Sequence, residues 1–151
     1  MKPLVAALAL GLAVAAFATG AAAQRRAGDA DIVGAWRFET VRYDVTDTGG
    51  CQMTGTMTIR RGPAPGAYVC AFTATEDCGW GRWSAEQTCT ARRNGDQLEV
   101  ESVIVRVSPA NTSYAPDNWS LTIRSADLMV GELRSADIAN VEFRRGPAYT
   151  S

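Results

Sequence analysis

Four cysteines constrain this chain more than any other feature: Cys70, Cys78 and Cys89 fall within the single stretch Tyr68–Ala91, with Cys51 before it. In an oxidising compartment four cysteines read as two disulfides, whereas in a reducing one they would raise metal binding. The start of the chain decides between the two. Met1-Lys2 gives a positive start, Leu4 to Ala18 is an apolar run, and Ala21-Ala22-Ala23-Gln24 offers the small residues of a signal-peptidase site. Residues 1–23 are therefore expected to be a secretory signal peptide cleaved after Ala23. The apolar run is shorter than the roughly 20 residues of a spanning helix. The mature product is expected to be periplasmic or secreted, with no membrane span and no acylated cysteine at its new terminus. The intervals Cys51-x18-Cys70-x7-Cys78-x10-Cys89 contain no CxxC pair, and the chain has no histidine, so neither a metal nor another cofactor is expected.

Residues 24–151 suffice for a single domain with its own core. Lys2 is the only lysine, so fourteen of the fifteen basic residues are arginines, set against sixteen acids. That balance argues against nucleic acid as a partner. The doublets Arg25-Arg26, Arg60-Arg61, Arg92-Arg93 and Arg144-Arg145 read as solvated rims at strand ends.

After a polar arm, Gln24 to Asp31, the chain reads as eight short strands. Ile32 to Val41 alternates Trp36 and Phe38 with Arg37 and Glu39, and Met53, Gly55, Met57 and Ile59 alternate with threonines and Arg60. Between them lies the turn-rich Asp47-Thr48-Gly49-Gly50. The cluster Arg61-Gly62-Pro63-Ala64-Pro65-Gly66 turns the chain, since proline cannot donate to a ladder. Strand three runs Tyr68 to Thr75 and strand four Trp83 to Arg92, joined by a loop over Glu76–Arg82. Asn94-Gly95 signals a type I′ hairpin into strand five, Gln97 to Val107. Asn118–Arg124, Leu128–Leu133 and Ala139–Arg145 supply strands six to eight. Arg124-Ser125-Ala126-Asp127 and its echo Arg134-Ser135-Ala136-Asp137 read as two similar turns. The fold class expected is all-β, an eight-stranded antiparallel up-and-down barrel stabilised by disulfides, because closure removes the sheet's edges.

Hairpin symmetry pairs the cysteines. Folding strands two and three about the centre of Pro63–Gly66 puts Cys51 opposite Cys78, and folding strands three and four between Gly79 and Trp80 puts Cys70 opposite Cys89. Of three possible connectivities, Cys51–Cys78 with Cys70–Cys89 is the one expected.

Gly34-Ala35-Trp36 opening the first of eight strands resembles the Gly-x-Trp signature of the lipocalin and avidin group of barrels. The resemblance implies an up-and-down barrel with a ligand cavity at one end. It also implies a structural Trp36 at the closed end, beside an arginine near the last strand, Arg144 or Arg145, with Arg144 taken as the partner. The chain departs from lipocalins in lacking a Thr-Asp-Tyr-type second motif and a C-terminal helix.

Without histidine there is no Ser-His-Asp or Cys-His arrangement, no HExxH helix, and no Gly-rich phosphate loop is present. Carboxylate couples drawn from Glu76, Asp77, Glu99, Glu101 and Asp117 are the remaining catalytic option, and the chain is expected not to be an enzyme. The first, third and fifth connections of a meander share one end. That places Tyr43, Trp80, Arg82, Trp83 and Tyr114 around one mouth, opposite the Asn94-Gly95 turn, as the expected ligand-binding residues. The expected partner is a small apolar or amphipathic ligand or, alternatively, an envelope protein such as a lysozyme or protease that the chain inhibits.

Overall fold

The computed structural model describes residues 30–44 and 49–146; the expected signal peptide, its cleavage site, most of the polar arm and Asp47-Thr48 lie outside them. Alternation of apolar and polar residues builds eight antiparallel strands: β1 (Gly34–Thr40), β2 (Cys51–Arg61), β3 (Ala67–Cys78), β4 (Gly81–Asn94), β5 (Gln97–Ser108), β6 (Asn118–Ile123), β7 (Leu128–Arg134) and β8 (Ile138–Arg145). Each strand pairs with its successor and β8 returns to β1, so the sheet closes into a barrel in sequence order.

Both disulfides form as hairpin symmetry requires. Cys51 lies opposite Cys78 and Cys70 opposite Cys89, with Cα separations of 4.0 and 4.8 Å. The Cys51 amide and carbonyl both bond to Tyr43 on the other side of β2, which leaves Cys51–Cys78 as a non-hydrogen-bonded pair, the closer of the two kinds.

Two connections differ from expectation. The loop expected over Glu76–Arg82 is a two-residue turn, Gly79-Trp80, and the β3–β4 ladder continues through Glu76↔Trp83, Asp77↔Arg82 and Cys78↔Gly81. The disulfide at Cys78 and the Asp77–Arg82 ion pair hold those last rungs, so Arg82 and Trp83 belong to a strand. The β4–β5 turn is centred on Gly95 and Asp96, one residue later than expected. Gly95 alone takes a positive φ, 62°, at the first central position, where type II′ turns place glycine.

The interior is filled. Phe38, Phe72, Trp119 and Phe143 pack ring on ring with centroids 5.0–6.1 Å apart, and Met53, Met57, Leu98, Leu121, Ile123 and Met129 close around them. One end is stoppered by the chain entering β1. Ile32 is fully buried there, the Trp36 indole N–H donates to the Ile32 carbonyl at 2.8 Å, and a guanidinium lies 4.6 Å from the Trp36 ring centroid. That guanidinium is Arg145, not Arg144. Side chains on β8 alternate between faces, so Arg145 shares the inward register of Val141 and Phe143, while Arg144 points outward to Glu142. Arg145 also donates to the Val33 and Ala126 carbonyls at 2.9 and 2.8 Å.

Candidate functional site

The opposite end is where the β1–β2, β3–β4, β5–β6 and β7–β8 connections meet. Two tyrosines and two carboxylates converge there. Tyr43, bridged to Cys51 after β1, donates its hydroxyl to Glu76 on β3. The β5–β6 connection delivers Tyr114 and Asp117, and the Tyr114 hydroxyl donates to Asp117 Oδ2 at 3.1 Å.

Asp117 is fully buried and held from several sides. The Gln87 side-chain amide on β4 donates to Oδ2 and accepts the Asp117 backbone N–H at 3.0 Å, while the Ser102 hydroxyl donates to the Asp117 carbonyl. Asp117 Oδ1, by contrast, has no partner with hydrogen-bond geometry. The residues enclose a cavity of about 90 Å³ whose lining includes Tyr43, Glu76, Tyr114, Asp117, Ser135 and Asp137.

Burial sets the electrostatics of this end. It pushes the Asp117 carboxyl up from 3.8 to about 6; Gln87, the nearby Ser135 hydroxyl and Tyr114 favour the charged form and limit the rise, and Glu76 adds to it. Burial and the neighbouring carboxylates also raise both tyrosines well above their ordinary value, so Tyr43 and Tyr114 act here as neutral hydroxyl donors.

Of the residues expected at the mouth, Tyr43 and Tyr114 line the cavity together. The others stand outside its lining on the neighbouring β3–β4 hairpin. Trp80 is 50% exposed at the tip, Arg82 is ion-paired with Asp77, and Trp83 is half-buried against the core with its ring over Gly81. The carboxylates divide in the same way: Glu76 and Asp117 meet at the cavity, whereas Glu99 and Glu101 lie on the exposed face of β5. Gln87 was not singled out from the sequence. Its signal was a polar residue in register with inward-facing Ala85, Cys89 and Ala91.

Sγ of Cys51 and Cys78 and a Glu76 carboxylate oxygen lie within 4.8 Å of one another, but both sulfurs are spent in the disulfide. A larger concavity of about 800 Å³ lies on the outer face of β6, β7, β8 and β1, between Glu39, Thr122, Val130 and Glu142, and is open to solvent.

No family model matches the chain, and no curated protein matches it. A solved chain described as a de novo designed fluorescence-activating beta barrel superposes with a TM-score of 0.53 at 22% identity, covering 76% of this chain and 93% of its own. That likeness shows the fold, an eight-stranded antiparallel barrel.

Proposed function

We propose that this chain is a non-catalytic, exported binding module that engages a protein partner through its loop end, with the disulfide-anchored β3–β4 hairpin as the contact. The observation that carries this reading is the contrast between a solid interior and an exposed tryptophan. Four aromatic rings occupy the space an apolar cargo would need, while Trp80 stands half exposed on a hairpin tied down by Cys51–Cys78. Tryptophan and arginine are the side chains that dominate protein interfaces, and here the hairpin is tied by a disulfide and Arg82 is already held by Asp77, which lowers the ordering cost of binding. Two disulfides fit an oxidising compartment, and the leader expected at residues 1–23 agrees with export.

The barrel architecture is compatible with holding a small ligand, and the designed neighbour is described as fluorescence-activating. A lipocalin-like apolar cargo nevertheless fits this chain poorly. The partly open cavity at its loop end, about 90 Å³, is well below the roughly 300–1,000 Å³ of sites that bury drug-sized ligands, and it is acidic. The same size argues against catalysis on a bulky substrate by Glu76 and Asp117.

The test combines native mass spectrometry of protein purified from the cell envelope with a photo-crosslinker at position 80. The expected result is the bare mass of the oxidised chain, together with one discrete crosslinked envelope protein that is competed by unlabelled barrel. A co-purifying small molecule released on unfolding, or full partner capture by the Trp80→Ala, Arg82→Ala double variant, would overturn the reading.

A further inference from the structure

The cavity at the loop end carries unbalanced charge. Three carboxylates, Glu76, Asp117 and Asp137, line it, and no basic side chain does. Asp117 is fully buried, and its Oδ2 is occupied by Gln87 and Tyr114, whereas Oδ1 has no partner in hydrogen-bond geometry; the nearby Ser135 hydroxyl is directed to the Ala115 carbonyl at 3.4 Å. A buried carboxylate oxygen without a donor is costly, and a donor supplied from outside the chain relieves that cost.

We propose that this cavity is a binding site for a protonated primary amine, with Asp117 Oδ1 as its first acceptor, Glu76 as its second, and Tyr43 and Tyr114 as its walls. An alkylammonium head has three donors and no acceptor, the complement of a pocket whose free polar atom is a carboxylate oxygen. Tyrosine faces attract the same charge.

Other cations fit less well. A quaternary ammonium has no N–H to give the carboxylate oxygens that line this cavity of about 90 Å³, whereas a primary ammonium has three. Guanidinium gains its advantage from a two-oxygen fork, and only one Asp117 oxygen is free. Calcium takes about six to eight oxygens. Among the described residues, the one cluster of three metal-type ligands includes the two bridged cysteines.

The site belongs to the isolated barrel and stands whether or not a protein engages Trp80. A free small amine and a lysine side chain of a polypeptide present the same head group, and the experiment separates them.

The oxidised barrel is titrated with methylammonium chloride at neutral pH and constant ionic strength, following backbone amide resonances. Saturable shifts confined to the segments around Tyr43, Glu76, Tyr114–Asp117 and Ser135–Asp137 are expected, with affinity about tenfold or more above that for sodium or tetramethylammonium. Asp117→Asn and Glu76→Gln are each expected to weaken methylammonium about tenfold while keeping a dispersed native spectrum; if Asp117→Asn does not fold, Glu76→Gln decides. A short lysine peptide that outcompetes its norleucine counterpart supports a polypeptide source, and methylammonium binding without that preference supports a free amine. No saturable shift, an equal response to tetramethylammonium, tighter binding of calcium, or unchanged affinity in a folded variant would overturn the proposal.

Discussion

On β8, one step of register separates the arginine that seals the barrel from the arginine that fringes it. Arg145 stacks on Trp36 and donates to the Val33 and Ala126 carbonyls, so its charge-assisted bonds and ring contact are lost together on truncation. Arg145→Ala is expected to cost about 2–4 kcal/mol in urea unfolding. Arg144→Ala, which removes an exposed contact to Glu142, is expected to stay within about 0.5 kcal/mol of the parent. At the other end, the prediction concerns pH. Asp117 has its carboxyl raised from 3.8 to about 6 in the folded chain, among Glu76, Tyr43, Tyr114, Gln87 and Asp137. The folded state therefore holds this proton more tightly than the unfolded one. Its contribution is fully present below about pH 4 and is lost as pH rises through about 6. Relative to Asp117→Asn, the parent is expected to lose about 2 kcal/mol of stability between pH 4 and pH 7, read from denaturation midpoints at each pH. A flat difference between the two proteins across that range would refute the assignment.

Among the strands, Gly55 shows why β1 and β2 could approach so closely. Phe38 sits directly opposite, and a Cβ at position 55 would stand 2.3 Å from the Phe38 ring and 2.2 Å from the Thr73 carbonyl oxygen on β3. The ring covers the bare glycine, and a backbone oxygen cannot swing aside as a flexible side chain does. Gly55→Ala is expected to destabilise by about 2–3 kcal/mol, with the loss visible in the thermal midpoint. Strand positions were legible because each strand repeats its apolar face every second residue, and β6 to β8 fall within a residue or so of expectation. The ends of β3 and β4 lie beyond what alternation marks, because Glu76, Asp77 and Arg82 carry no apolar alternation. What extends the ladder is a disulfide and a cross-strand ion pair, both made only after pairing. The irregularity where Glu86 and Gln87 face Arg106 and Ile104 had no signal of its own.

For the molecule as a whole, stability leans on its cross-links. The bridges span 27 and 19 residues, and each is worth about 3 kcal/mol in the chain-entropy account. Together they are comparable to the roughly 5–15 kcal/mol net stability of a domain. Reduction is expected to lower the urea midpoint sharply, with loss of native signal at moderate denaturant. The sequence by itself determined the all-β class, the order of the strands and the pairing of the cysteines, because alternation and turn chemistry are local and a hairpin's centre fixes its own register. It also placed Tyr43 and Tyr114 at one end, since connections of a meander alternate between ends. Only the tertiary structure decided that the interior is solid, that Arg145 rather than Arg144 meets Trp36, and that Asp117 is buried with a free oxygen beside Glu76. Those outcomes depend on which inward-facing side chains meet across the barrel from strands far apart in sequence, and on how much water their packing excludes.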